Sequence, residues 1–187
     1  MADKKDDVKG LSIEIKIDGK INTHLDGSML TLKGPKGEVK RDFPDKRVNI
    51  SHKDDMIMLK APRLSKTNKK IVKSYAAHIR NMAGGVLESY KYTLKICSGH
   101  FPMNVSVGSG QFIVKNFLGE KVPRILKLKA GAQVKVEGEI IVVESPDKEI
   151  AGQVSADIEL LTRRTKYDTR IFQDGIWITS KCGKEMK

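Results

Sequence analysis

Met29-Leu30-Thr31-Leu32-Lys33-Gly34-Pro35-Lys36-Gly37-Glu38 and Gln111-Phe112-Ile113-Val114-Lys115-Asn116-Phe117-Leu118-Gly119-Glu120 are two versions of one pattern. Each opens with a short apolar-rich stretch that predicts a strand and closes with Lys-x-x-x-Gly-Glu at identical spacing. The two copies lie 82 residues apart. A second correspondence follows in the same order: Ile71, Tyr75, Ala77 and Ile79 fall on Ile150, Val154, Ala156 and Ile158, 79 residues apart. Two ordered matches with a small drift predict a duplicated unit with short insertions between the copies.

Working outward, Leu11 to Ile17 alternates apolar and polar residues, Asp18-Gly19 offers a turn, and Val39 to Phe43 pairs back on Met29 to Lys33. Val48 to Ser51 and Met56 to Leu59 form a hairpin around His52-Lys53-Asp54-Asp55. A helix is expected from Thr67 to Met82, with Ile71, Tyr75, Ile79 and Met82 inward and Val72 and Ala76 beside them. Gly84-Gly85 would end it and mark the boundary. The second copy begins at Tyr90 to Cys97. Strands follow at Phe101 to Val107, Gln111 to Lys115, Ile125 to Lys129, Val134 to Glu137 and Glu139 to Val143. A helix starts at Ser145-Pro146-Asp147, capped by the serine, with Ile150, Val154, Ile158 and Leu161 buried. The expected fold class is α+β: two duplicated domains, each a small antiparallel β-sheet packed on one α-helix, plus a C-terminal tail. The divisions are a disordered tail at 1–7, repeats at 8–84 and 85–161, and a basic extension at 162–187.

The chain of 187 residues carries 35 Lys and Arg against 23 Asp and Glu, a formal net charge of +12. The excess is uneven. Arg63 to Leu87 holds six cations and no acid, Lys121 to Val136 holds five and no acid, and Arg163, Arg164, Lys166 and Arg170 face only Asp168. A polyanion is the expected partner, nucleic acid first. No apolar run reaches the length of a membrane span, and the only tryptophan, Trp177, lies in an alternating segment rather than on a basic amphipathic helix. Met1 to Asp7 lacks the apolar stretch of a secretory signal. Aromatic residues make up 5% of the chain, which suits binding to folded nucleic acid through phosphates and shape.

Chemical motifs are absent. Cys97 and His100 are too few for zinc, and Cys182 stands apart. No nucleophile elbow, Walker A loop or dinucleotide fingerprint occurs. Gly34-Pro35-Lys36-Gly37 matches the Gly-x-x-Gly of a KH domain in spelling only, because strands flank it; it reads as a tight turn whose glycines tolerate positive φ. No enzymatic activity, cofactor, metal or small-molecule substrate is expected.

Lys33-Gly34-Pro35-Lys36-Gly37-Glu38 with Arg41-Asp42-Phe43 resembles the first-domain signature of the universal large-subunit ribosomal protein six family. The likeness continues through Ala77-His78-Ile79-Arg80-Asn81-Met82 and Gly85, then His100-Phe101-Pro102-Met103-Asn104-Val105 and Asn116-Phe117-Leu118-Gly119-Glu120-Lys121. It ends at Arg170-Ile171-Phe172-Gln173-Asp174-Gly175-Ile176. The segment after the second helix resembles the archaeal and eukaryotic branch; the bacterial Pro-Glu-Pro-Tyr-Lys-Gly-Lys-Gly ending is absent. The resemblance implies a structural constituent of the large ribosomal subunit in the cytoplasm. It would bind large-subunit rRNA near the sarcin-ricin loop and the base of the factor-binding stalk. Its neighbours would be ribosomal proteins at the stalk base and translation-factor GTPases. The resemblance also implies that the second domain and tail carry more of the RNA than the first.

The expected RNA-binding residues are Lys115, Asn116, Lys121 and Arg124 around the repeated Gly-Glu turn. Arg163, Arg164, Lys166, Tyr167 and Arg170 join them from the tail, with Tyr167 available to stack or to pack. Lys69, Lys70, Lys73 and Arg80 read as a solvated helix face, and Phe172, Ile176 and Trp177 as packing anchors. The alternative function is an extra-ribosomal polyanion-binding module or RNA chaperone.

Overall fold

A computed structural model describes residues 10–53, 55–168 and 170–186. The tail expected at 1–7 lies outside the described residues, as does Asp54. The chain divides between Glu88 and Ser89 into two units, each treated by itself.

In unit 1 the strands are β1 (Leu11–Lys16), β2 (Asn22–Asp26), β3 (Met29–Gly34), β4 (Gly37–Asp42), β5 (Asn49–Lys53) and β6 (Met56–Ala61), followed by α1 (Lys66–Leu87). They form two antiparallel three-stranded sheets, in the orders β1-β6-β5 and β2-β3-β4. Unit 2 has β7 (Tyr90–Cys97), β8 (Asn104–Gly108), β9 (Gln111–Lys115), β10 (Arg124–Lys127), β11 (Gln133–Glu137), β12 (Ile140–Ser145), α2 (Lys148–Leu161), β13 (Gly175–Lys181) and β14 (Lys184–Glu185). Its sheets run β10-β9-β8 and β11-β12-β7-β13-β14. Counting each unit's strands from its own start, both units have a 1-6-5 sheet and a 2-3-4 sheet. The duplication read from the sequence is a duplication of topology. Each unit contains two sheets rather than the single sheet expected, because alternation marks which residues face inward but not which strands share a ladder.

The equivalences carry into the cores. Leu30 and Leu32 of β3 are sealed from solvent, and so are Phe112 and Val114 of β9. On the helices the sealed faces are Val72, Ala76 and Ile79 in α1 and Ala151, Val154, Ser155 and Ile158 in α2. Of the expected stripes Ile79, Met82, Val154 and Ile158 are buried, whereas Ile71, Tyr75, Ile150 and Leu161 sit half-buried at the margins. Each fully buried Leu, Ile or Phe contributes roughly 1.5–3 kcal/mol, which is why these positions rather than the strand edges hold the units together.

Helix ends differ from expectation for local reasons. Ser65 caps α1 by accepting the Asn68 N–H at 3.1 Å. The helix runs through Gly84-Gly85, although glycine disfavours a helix interior by about 1 kcal/mol each. Its last turn is kept by packing: Gly85 and Val86 are buried, and the Lys36 N–H donates to the Val86 carbonyl at 3.0 Å. The β3–β4 hairpin thereby closes the helix end, and Gly34 lies where an added Cβ would sit 2.7 Å from the Val86 carbonyl oxygen. Gly34 is required for close approach, and only Gly37, at φ 143°, for its backbone angle. At α2 the cap is Asp147, accepting the Glu149 N–H at 2.8 Å. Ser145 ends β12 instead, its hydroxyl donating to the Gly131 carbonyl and accepting the Asp147 N–H.

The extension at 162–187 is not a detached tail. β13 pairs antiparallel with β7, Gly175 opposite Cys97 and Ile176 opposite Ile96, making β7 an interior strand. Ile176 is buried, as expected of an anchor, whereas Trp177 remains 44% exposed.

Candidate nucleic-acid interface

The repeated Lys-x-x-x-Gly-Glu motif takes different shapes in the two units. In unit 1 it is a two-residue hairpin, with Gly34 opposite Gly37. In unit 2 the equivalent strands end at Lys115 and resume at Arg124, and a single 3-10 turn, Phe117–Gly119, fills the interval. Asn116 (φ 60°), Leu118 (φ 49°) and Gly119 (φ 79°) are left-handed, so the chain reverses in a wide loop. The Asn116 amide Nδ2 donates to the Pro102 carbonyl at 3.0 Å and ties that loop to the segment before β8.

Inside the loop, Phe117 is buried and Arg124 lies 4.5 Å from its ring centroid. Arg124 donates twice to the Glu120 carboxylate, each at 2.8 Å, and its Nη1 donates to the Leu161 carbonyl at the end of α2 at 2.6 Å. Arg164 donates to the same carboxylate and lies 4.8 Å from the Tyr167 ring centroid. The Arg124 hydrogen bond, opposed by burial and helped by Arg164, holds Glu120 below the usual carboxylate range. Arg124 and Arg164 are thus structural cations that clamp the loop to the chain following α2.

A second anchor sits one step along. The Asp174 carboxylate, almost wholly buried, accepts the Gly99 N–H at 2.6 Å, the His100 N–H at 3.0 Å and the His100 Nδ1 at 2.5 Å. Burial pushes its pKa up, but the His100 and Gly99 hydrogen bonds outweigh that, and the net direction is down. Phe172 stacks on His100 at 4.8 Å and meets Tyr167 edge to face at 4.9 Å. Between these anchors lies a groove of about 420 Å³, lined by residues including Leu118, Leu160, Arg163, Arg164, Tyr167 and Trp177.

The structure sorts the expected site residues. Asn116, Arg124, Arg164, Tyr167 and Arg163 gather around the loop and the groove. Lys115, Lys121, Arg163 and Lys166 are exposed, and none has a carboxylate partner among the described residues. Arg170 is exposed but ion-paired with Asp168 at 2.8 Å. Lys69, Lys70, Lys73 and Arg80 line the exposed side of α1 in unit 1. Sequence reasoning missed Glu120 as the hub of the arginines and the His100–Asp174 anchor. The Glu120–Arg124 spacing was a usable signal; nothing local joins His100 to a residue 74 positions on. Among the described residues no three of His, Cys, Asp or Glu come together to hold a metal, and no helix is long and apolar enough to cross a membrane.

The family model for Ribosomal protein L6 matches residues 11–89 and 101–175, one stretch in each unit. The chain belongs to the ribosomal protein L6 family. Its relatives include three archaeal proteins named large ribosomal subunit protein uL6. That of Methanococcus vannielii is 39% identical over 171 residues, covering 91% of this chain and 94% of the relative. That of Desulfurococcus amylolyticus is 42% identical over 171 residues, with 90% and 93% covered. That of Nanoarchaeum equitans is 40% identical over 184 residues, with 94% and 96% covered. These L6 relatives are named as ribosomal proteins and not as enzymes, and the family match spans both copies of the repeat.

Proposed function

We propose that this L6-family chain is a structural constituent of the large ribosomal subunit, in the cytoplasm, that binds large-subunit rRNA and supports translation. Near-full-length similarity to archaeal proteins of that name carries the reading. The finer placement, beside the sarcin-ricin loop and the stalk base with stalk-base proteins and translation-factor GTPases as neighbours, is part of the proposal. It rests on the family resemblance alone.

Within that reading the contact residues divide by chemistry. Lys115, Lys121, Arg163 and Lys166, exposed and without carboxylate partners among the described residues, meet phosphates directly. Arg170 does so after exchanging Asp168 for a phosphate. Asn116, Arg124 and Arg164 shape the surface that these cations stand on, and Tyr167 supplies a ring. Duplicated, helix-backed sheets are rigid mounts, so phosphate contacts fix orientation and the fold sets spacing.

Sedimentation of the native protein in a lysate gradient tests the assignment: it travels with large subunits, and nuclease treatment releases it. Migration with heterogeneous light RNA would sink the ribosomal reading and favour the chaperone one. Filter binding to purified large-subunit rRNA checks the contact chemistry. With about 6–10 phosphate contacts, affinity falls by roughly 10³–10⁵ between 50 and 200 mM salt.

A further inference from the structure

The chain is poor in aromatic residues, ten in all, yet three of them are exposed rings and all three border one region of unit 2. Phe101, 49% exposed, lies against Gly119 of the loop, while Tyr167 and Trp177, 43% and 44% exposed, line the groove. Unit 1 has only Phe43, which is buried, and Tyr75, which is half-buried; they pack on each other at 4.7 Å. Packing alone does not explain the concentration, because buried Phe117 and half-buried Phe172 already fill the interior side.

We infer that the groove is a slot for a single unpaired RNA nucleotide, a deepening that rests on the RNA-binding reading above. Its volume falls in the range that buries a small ligand. The rings on its wall are held before anything binds. Tyr167 is fixed by the edge of Phe172 and by Arg164, and the Trp177 indole N–H donates to the Gln173 carbonyl at 3.1 Å. Their rotamer freedom is lost on folding and not on association, which favours stacking. Arg163 on the rim offers a cation to the nucleotide's phosphate, and exposed Lys166 follows three residues on. Of the two carboxylates that line the groove, Asp174 is occupied by His100 and Gly99, leaving Glu159 to accept an N–H from a base edge. Rings, a cation and an acceptor on one concave wall match a base with its backbone, the way unstacked RNA bases are read. An apolar protein side chain would use the rings and leave the cations idle.

Trp177 is the only tryptophan, so its emission reports the slot. The full-length protein is titrated at low salt with octaadenylate and with an abasic octamer of equal phosphodiester charge. Octaadenylate binds more tightly and quenches Trp177, and the abasic strand leaves the emission unchanged. Tyr167→Leu weakens octaadenylate roughly 5- to 150-fold, the worth of one base–aromatic stack, and leaves the abasic strand alone. Tyr167→Phe, which keeps the ring, restores binding and shows that the loss is not misfolding. Equal binding of both strands with unchanged emission overturns the slot, as does failure of octaadenylate to bind. In either case filter binding to intact rRNA decides the broader RNA reading separately. A Tyr167→Leu protein that retains the preference for octaadenylate also overturns it.

Discussion

Gly34→Ala tests how the first unit closes. The added Cβ would stand 2.7 Å from the Val86 carbonyl oxygen, 3.0 Å from its Cβ and 3.1 Å from its carbonyl carbon. Backbone atoms cannot swing aside as a side chain can, so the hairpin must retreat from the end of α1. Overpacking of this kind costs about 1–3 kcal/mol. Retreat also strains or breaks the Lys36 N–H to Val86 carbonyl bond, worth roughly 0.5–1.5 kcal/mol net. Alanine returns about 0.4–1 kcal/mol by restricting the unfolded chain. The expected net loss is about 2 kcal/mol, which at a urea slope near 1–2 kcal/mol/M lowers the midpoint by roughly 1–2 M. Urea unfolding followed by far-UV ellipticity reads it, with faster amide exchange at Lys36 as the local signature. Gly108→Ala, where nothing lies within 4 Å of the added Cβ and φ is ordinary, is the matched control. Equal stability of the two variants would show that the hairpin does not rest on the helix end as described.

Replacing Lys115, Lys121 and Arg163 together by Ala should leave the unfolding midpoint within about 0.5 kcal/mol of wild type. The salt slope of rRNA binding should drop by roughly two to three units, whereas the triple replacement of Lys69, Lys70 and Lys73 should change it less; filter binding over a salt series compares them. Arg124→Ala should show the opposite profile, a stability loss of about 1–3 kcal/mol from Glu120 left with Arg164 alone, the Leu161 carbonyl losing its donor and Phe117 uncovered, read by thermal unfolding. Burial, with a hydrogen bond to the Cys182 thiol, pushes the Tyr92 phenol up to about 12. Between pH 10 and 12 the unfolded chain ionises there while the folded one does not, so stability should fall by up to about 1.4 kcal/mol per pH unit. Tyr92→Phe should flatten that limb of a stability-against-pH curve. Asp174 is shifted down, so its contribution is present above about pH 4 and is lost as pH falls through its lower folded value. Asp174→Asn should destabilise at pH 7 and remove acid sensitivity in that window, measured by urea midpoints from pH 2 to 7.

The duplication was legible because its carriers are local: the strand of Leu30 and Leu32 against that of Phe112 and Val114, and helical spacing around Ile79 and Ile158. What escaped was pairing at a distance. β2, Asn22–Asp26, is short and half polar, with Thr23 and Leu25 its only inward residues, and so reads as loop. β13 has ordinary alternation, but its partner lies 78 residues earlier, and no spacing rule joins Gly175 to Cys97. The candidate site divides in the same way. Exposed lysines were readable from charge runs. The role of Arg124 and Arg164 as clamps on Glu120 was not, because an arginine that clamps a carboxylate and one that awaits a phosphate have the same sequence signature. Gly84-Gly85 failed as a stop signal because tertiary packing of Val86 overrode helix propensity.

The insertion of β13 beside β7 has a temporal consequence. Unit 1 contains every strand it pairs by residue 61 and its helix by residue 87, so it can consolidate while synthesis is still under way. Unit 2 lays down β7 early but must hold one side of it open until residues 175–181 have emerged. A nascent chain stalled shortly before residue 175 therefore displays a mature first half and a second half with a bare ladder edge, a form that recruits chaperones or aggregates.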